Sequence, residues 1–266
     1  MKTAVIVAGV CRFTDISHTS WAMLPEADWY LSTWDISQQP YSKKAVISNK
    51  EIKNIEHLFK TIIISNYQNE YLNQGVKSFE RAFILLEKIF NIIKDKGYTR
   101  IIYFRPDLML YKVDNFSIKD FDVDDSCVKL LDIHRPDLAV RHNEKVASDL
   151  FFVFSWNTFV KFLNAKNEIV NNVDIHKTVY KFFIDNKIEM QPLYNMRSMI
   201  LRNNVYKSLE DLSWETLSTL FHDIFRKFGR GEVSKFPYDI ELTPVVDHEL
   251  LENSKANGGI LKLRNK

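Results

Sequence analysis

Arg105, Pro106 and Asp107 are the residues whose chemistry this sequence indicates most strongly. They close a short apolar, β-prone stretch that begins at residue 100. Proline has no backbone N–H for a strand ladder, so the strand should end there or lie at a sheet edge. Ligands of open α/β sheets bind at the carboxyl ends of strands. An anion-binding guanidinium two residues from a possible metal-binding carboxylate favours a phosphorylated substrate, and the alternative is a structural Arg–Asp pair.

A second candidate follows the apolar run at residues 3–8, where Gly9 precedes Arg12. Glycine lets a backbone approach a ligand closely, and an arginine can meet a phosphate or a base. The alternative is a tight turn with a solvated arginine. The sequence lacks both the GxGxxG fingerprint and a P-loop, so it gives no support to a Rossmann dehydrogenase or a kinase.

Three further polar candidates lie at predicted strand ends or in the tail. Asp35 is placed to accept hydrogen bonds from a ribose or a base, and Asp149 to orient or deprotonate an acceptor hydroxyl. Asp247 and His248 form a candidate distal metal ligand pair. The alternatives are a turn-forming Asp35, a capping Asp149 and a polar turn at 247–248. The acidic run at 122–125 is interpreted as a solvated turn.

Composition limits the class of protein. The chain has 266 residues, of which 45% are hydrophobic and 26% charged, with a formal net charge of +2. That charge is too small to indicate nucleic-acid binding by itself. No apolar run approaches the roughly 20 residues of a membrane span, and the first ten residues are interpreted as a strand rather than a signal peptide. Cys11 and Cys127 fit no disulfide or metal framework, which favours a reducing compartment.

The elements that position these candidates alternate between β-prone runs and helical periodicity. Strands are predicted at 3–8, 27–34, 58–65, 100–105, 128–133, 148–155 and 199–202. Helices are predicted at 78–94, 174–187 and 208–228, and a further helix is predicted to begin at residue 156. A strand, a helix and a strand in succession across 58–105 form a βαβ unit, which requires parallel strands. The sequence therefore predicts an α/β fold with a mostly parallel central sheet flanked by helices and a helical C-terminal part.

The order of these motifs resembles a small GT-A-type glycosyltransferase, similar to sugar transferases of bacterial surface-glycan clusters and of bacteriophages or viruses. The motifs are a first strand with Gly and Arg, Ser-Thr-Trp-Asp at 32–35, Arg-Pro-Asp-Leu at 105–108 and Ser-Asp-Leu-Phe-Phe-Val-Phe-Ser at 148–155. The resemblance implies a GT-A-like nucleotide-sugar-binding domain at 1–205. A helical acceptor-side extension at 206–266 would pack on that domain.

The resemblance also implies roles for individual residues. Those expected to contact the nucleotide donor are Val7, Ala8, Gly9, Arg12, Asp35, Arg105 and Asp107. Asp107 stands where these enzymes carry a metal-binding DxD, with Arg105 in place of the first acid, so a Mn²⁺ or Mg²⁺ would be held by Asp107 and His248. Because of this departure, an alternative is that Arg105 replaces part of the positive charge that a metal ion would supply. Asp149 would lie on the acceptor side and, with Arg105, be catalytic.

The resemblance implies transfer of a sugar from a nucleoside diphosphate sugar, with UDP favoured, in the cytoplasm of a bacterial cell or a phage-infected host. The acceptor would be a surface glycan or a hydroxymethylated base in phage DNA. Basic residues that would contact DNA are Arg226, Lys227, Arg230, Lys235 and Arg264. The alternative is a non-catalytic nucleotide-sugar or nucleic-acid binding protein on the same fold.

Overall fold

The structure is a computed structural model, and it describes most of the first 200 residues. The described ranges are 1–11, 14–35, 52–53, 55–73, 80–112, 117–131, 140–141, 145–170, 174–193 and 196–200. The predicted helical extension at 206–266 lies outside these ranges. So do Arg12 and His248.

A central sheet of seven strands organises the described residues. Its strands are β1 (Thr3–Gly9), β2 (Asp28–Trp34), β3 (Thr61–Ser65), β4 (Arg100–Phe104), β6 (Cys127–Leu130), β9 (Phe151–Ser155) and β10 (Glu189–Pro192). They lie in the order β10-β6-β9-β4-β1-β2-β3. Strand β9 pairs antiparallel with both β4 and β6, and the other pairings are parallel. The predicted mostly parallel sheet is therefore confirmed.

Four short strands lie outside this sheet. They are β5 (Leu108–Lys112), β7 (Val140–Arg141), β8 (Val146–Ala147) and β11 (Met196–Ile200). Strands β5 and β11 form one antiparallel ribbon, and β7 and β8 form another. The strand predicted at 199–202 thus begins earlier, at Met196, and pairs with β5 rather than with the main sheet.

The α-helices of the described residues are α1 (Thr14–Ser17), α2 (Glu80–Ile93), α3 (Trp156–Asn164), α4 (Lys166–Val170) and α5 (Ile175–Asp185). All of them except α1 cover one face of the sheet. Apolar side chains of α2 to α5 share one buried cluster with Ala4, Ile6 and Ala8 of β1. Helices therefore flank the sheet, as predicted. Among the described residues, none of these helices has the length and apolar character needed to cross a bilayer.

Other elements cover the opposite face. Val5 and Val7 of β1 point there and pack with Trp21 of a 3-10 helix at His18–Met23 and with Leu110 of β5. Successive residues of a strand point to opposite faces, so an uninterrupted apolar run such as Thr3–Gly9 fits a strand buried on both sides. Further short helical segments are the 3-10 helices Glu56–Leu58 and Ile118–Phe121 and the π-helical turn Gln68–Leu72.

Helix α5 has a well-defined start. The side chain of Asp174, the residue before α5, accepts hydrogen bonds from the backbone N–H groups of His176 at 3.1 Å and Lys177 at 3.3 Å. These N–H groups have no partner within the helix, so an aspartate at the N-cap stabilises it. On its inner face, Val179 and Phe183 are fully buried in the core. The cap and the apolar face together fix where α5 begins.

Replacing this cap should destabilise the protein measurably. We expect Asp174→Ala to lower the free energy of unfolding by about 1 kcal/mol, because two backbone donors lose their acceptor. Asp185→Ala, at the other end of α5, removes an exposed ion pair with Lys181 and should cost at most about 0.5 kcal/mol. Urea denaturation of both variants measures the difference, and equal costs would contradict the assigned cap.

Candidate functional site

The carboxyl ends of the parallel strands meet at one edge of the sheet, which we call the carboxyl rim. In the described residues it comprises Gly9 at the end of β1, Asp35 after β2, Arg105–Asp107 after β4 and Asp149 before β9. Strand β9 is reversed, so its amino end lies beside the carboxyl end of β4, with Phe104 opposite Phe151. The backbone N–H of Arg105 also donates to the carbonyl of Leu150 at 3.3 Å.

Gly9 and Pro106 are in direct contact at this rim. A Cβ built on Gly9 would lie 2.9 Å from Cδ of Pro106, and the backbone φ of Gly9 is +149°. A residue with a side chain would be strained at that φ, and its Cβ would clash with the proline ring, so this position favours glycine. The structure therefore places the turn after β1 against the Arg-Pro-Asp segment, as the two motifs predict. Arg12, the other residue proposed for this turn, lies outside the described residues.

Val7 and Ala8 lie just inside the rim. Their side chains are buried, at 0% and 1% exposure, and point into opposite faces of the core. Any contact of these two residues with a donor would therefore be made by the backbone. Their predicted role as donor-contacting residues stays a prediction.

Arg105 and Asp107 form a two-pronged ion pair at the rim. Nε of Arg105 donates to Oδ1 of Asp107 at 3.0 Å, and Nη2 donates to Oδ2 at 2.8 Å. The Asp107 side chain is 1% exposed, whereas that of Arg105 is 25% exposed. Paired bonds of this kind fix both the position and the orientation of the guanidinium plane. Asp107 thus fixes the guanidinium of Arg105, whose side chain is partly exposed.

The guanidinium keeps unused hydrogen-bonding capacity. It carries five N–H donors, and two of them serve Asp107. Within the described ranges, Arg105 forms no other side-chain hydrogen bond, so three N–H groups remain for a ligand. Burial acts to lower the pKa of Arg105, but the adjoining Asp107, with Asp149 and Tyr103, holds that pKa above its ordinary value. Arg105 is therefore a permanently charged anion-binding group.

Tyr103 lies beneath this charge cluster. It is 4% exposed, and its ring stacks on Phe152 with centroids 6.0 Å apart. Burial raises the pKa of its hydroxyl far above the ordinary value, and the negative charges of Asp149 and Asp107 add to this while Arg105 opposes it. Tyr103 therefore stays neutral, and its shift records that Asp149, Arg105 and Asp107 act on one place. The sequence pattern gave no indication of a role for Tyr103, since it appears as one more residue of an apolar strand.

Asp149 has a partner that the sequence did not predict. Nδ1 of His176, in the first turn of α5, lies 3.6 Å from Oδ1 of Asp149 and 3.0 Å from the carbonyl oxygen of Ala147. The Asp149 side chain is 15% exposed and that of His176 is 49% exposed. The rim therefore carries a carboxylate and an imidazole next to the anion-binding arginine. Only the three-dimensional pairing of β9 with β4 brings the two groups together.

Asp35 is engaged on another part of the rim. Its Oδ1 accepts from the backbone N–H of Tyr67 at 2.8 Å, and its Oδ2 accepts from Nδ2 of Asn66 at 2.9 Å. Asp35 thus joins the end of β2 to the segment after β3. Its predicted contact with a ribose or a base stays a prediction.

The acidic run at 122–125 lies at the opposite edge of the sheet. It precedes β6, and its Asp125 accepts hydrogen bonds from Ser155 Oγ at 2.6 Å and Asn157 Nδ2 at 2.7 Å. Asp124 accepts from the backbone N–H of Ser126 at 2.8 Å. These bonds join a surface turn to the end of β9, so the structure gives this run a local structural role.

Of the two residues predicted to bind a metal ion, Asp107 is described and His248 lies outside the described residues. Both oxygens of Asp107 are taken up by Arg105, and a cation there would stand beside a guanidinium. The described part of the chain also contains no cluster of three or more His, Cys, Asp or Glu side chains arranged to hold a metal ion. The described residues therefore do not fit a cation at Asp107.

No protein-family model matches this chain, and no curated protein matches it either. The function is accordingly argued from the geometry of the carboxyl rim.

The contact between Gly9 and Pro106 can be tested through stability. We expect Gly9→Ala to lower the free energy of unfolding by about 2–4 kcal/mol, because it adds overpacking against the proline ring to an unfavourable backbone conformation. Gly97→Ala is the matched control: its φ is +70°, but its Cβ would meet no atom within 4 Å, so we expect a loss of about 1 kcal/mol. Denaturant unfolding of the two variants gives both values. A loss at Gly9 no larger than at Gly97 would show that the two segments are not in contact.

Proposed function

We propose that this protein is a glycosyltransferase that moves a sugar from a nucleoside diphosphate sugar, with UDP favoured, to an acceptor hydroxyl. The observation that carries the proposal is the guanidinium of Arg105, which Asp107 fixes at the carboxyl rim and whose three other N–H donors meet no acceptor among the described residues. Gly9, at the end of β1, lies against the ring of Pro106, the residue that follows Arg105. A fixed fork of donors next to a glycine turn suits a diphosphate.

The sheet supports a GT-A-like interpretation of the fold. Its parallel strands open toward one rim, where ligands of α/β sheets bind. The reversed strand β9 adds Asp149 to that rim, on the far side of β4 from Gly9. The donor diphosphate would then lie by Gly9 and Arg105, and the acceptor by Asp149. Fold alone does not fix function, so the proposal depends on these side chains.

Sugar transfer requires stabilisation of the charge that develops on the departing nucleoside diphosphate. Arg105 supplies a fixed positive charge for this purpose, and its attachment to Asp107 means that it need not reorganise during the reaction. Because the described residues do not fit a metal ion at Asp107, we derive no step through a cation. The neutral, buried Tyr103 and the aromatic residue Phe152 form an apolar floor that helps to exclude water.

Ligand binding should raise the thermal unfolding midpoint, Tm, by mass action. At a hundredfold excess over Kd the stabilisation is about 2.7 kcal/mol, or roughly 5–10 °C for a domain of this size. We expect UDP, or else GDP or CDP, to produce such a rise, and we expect it to persist in EDTA because Arg105 and not a metal ion faces the diphosphate. A rise that requires Mn²⁺ or Mg²⁺ would restore the metal prediction, and no rise with any of the three would contradict the proposal.

A double variant tests the assigned residues. Arg105→Gln combined with Asp107→Asn removes both charges of the pair at once, so no unpaired charge is left buried. We expect it to fold and to lose the rise in Tm with UDP. Lys94→Gln, an exposed change just after α2 at the opposite edge of the sheet, should keep the rise. Release of UDP from UDP-sugars, with glycan or hydroxymethylated DNA as acceptor, then separates catalysis from binding alone.

A further inference from the structure

The hydrogen bonds of His176 define which of its ring nitrogens is free. Nδ1 lies 3.0 Å from the carbonyl oxygen of Ala147, and a carbonyl can only accept, so Nδ1 must carry the proton. In neutral imidazole Nε2 is then an unprotonated acceptor. Among the described residues Nε2 forms no hydrogen bond, and about half of the side chain is exposed. The structure therefore holds one basic nitrogen ready to accept a proton.

The topology places this imidazole at the carboxyl rim. Helix α5 leads into β10, whose first residue, Glu189, lies beside Cys127 at the start of β6. The end of α5 is therefore near the amino ends of the parallel strands, and its first turn, with His176, is at the opposite edge. The contact between His176 and Asp149 confirms this placement. Asp149 directly precedes Leu150, whose carbonyl accepts the hydrogen bond from the backbone N–H of Arg105.

Asp149 is suited to act through His176. Its Oδ1 lies 3.6 Å from Nδ1, which already has Ala147 as its hydrogen-bond acceptor, so the carboxylate interacts mainly by charge. A carboxylate on this side of the ring stabilises the imidazolium that forms when Nε2 takes up a proton. The carbonyl of Ala147 and the carboxylate of Asp149 together fix the position and orientation of the ring.

We propose that His176 is the general base of this enzyme and that Asp149 is its positioning residue; this inference rests on the proposed function. Nε2 takes the proton of the acceptor hydroxyl as the oxygen forms a bond to the anomeric carbon of the donor sugar. The bond from that carbon to the phosphate oxygen breaks, and its electron pair leaves on the nucleoside diphosphate beside Arg105. The proton then passes from Nε2 to water.

The charged groups around His176 determine how the rate should depend on pH. From the segment before β9 it faces Asp149. On its own helix, Asp174 caps the first turn and forms an ion pair with Lys177, with 3.7 Å between Nζ and Oδ2. The rate should fall on the acidic side, where imidazolium has no lone pair to accept a proton.

The test uses His176→Asn in the full chain. Asparagine keeps an N–H near the position of Nδ1, and so the bond to Ala147, but it offers no base at Nε2. With water as acceptor and the UDP-sugar that raises Tm most, we expect kcat for UDP release to fall about 10²–10³-fold. The Tm rise with UDP should be unchanged, the acidic fall in rate should disappear, and added imidazole should restore part of the rate. His57→Asn, an exposed change distant in sequence, should behave like the unmodified protein.

Asp149→Asn tests the positioning role separately. We expect a lower kcat with an unchanged KM for the donor, a split that a purely structural effect would not produce. Full activity of His176→Asn would overturn the assignment, whatever the activity of Asp149→Asn. It would leave the proposed transferase function intact. An unmodified protein that shows neither a Tm rise nor UDP release would instead overturn the proposed function itself.

The ¹⁵N chemical shifts of His176 at pH 8 provide a measurement independent of turnover: protonated Nδ1 is expected, and protonated Nε2 would refute the proposal.

Discussion

The ion pair between Arg105 and Asp107 is the interaction on which the candidate site depends. A carboxylate that is 1% exposed has lost nearly all its water, and the guanidinium that meets both of its oxygens offsets that loss. The same pairing leaves part of the guanidinium at the surface in a fixed orientation. Breaking a buried pair by removing one partner typically costs about 3–5 kcal/mol, so the stability of the rim and its capacity to bind an anion have the same origin.

The second constraint is the reversal of one strand. If all seven strands were parallel, the segment containing Asp149 would lie at the other edge of the sheet, far from Arg105. Because β9 runs antiparallel between β4 and β6, Phe104 and Phe151 are opposite each other and the residues on either side meet at the rim. Helix α5 then brings His176 to the same place. One non-local pairing thus joins an anion-binding group to a base.

The sequence predicted every strand of the central sheet except β10, and part of this site, for identifiable reasons. Apolar runs and a proline at 106 locate the strand ends, and strand ends locate Arg105, Asp107 and Asp149. His176 was not predicted, because nothing in the order of residues brings a histidine of a helix to an aspartate 27 positions earlier. Strand β5 was also missed, since the chain was expected to leave β structure at Pro106. The structure shows a brief turn there, with Leu108 N–H bonded to Arg105 C=O at 3.1 Å, before the new strand begins.

The position of a bound nucleoside diphosphate tests the account most directly. Besides the rim, the described residues form a cavity of about 700 Å³ at the opposite edge, between Tyr98, Asp125 and Trp156. A crystal structure of the protein with UDP should show the diphosphate within hydrogen-bonding distance of the free N–H groups of Arg105 and close to Gly9. UDP bound in the opposite cavity, with Arg105 untouched, would contradict the account.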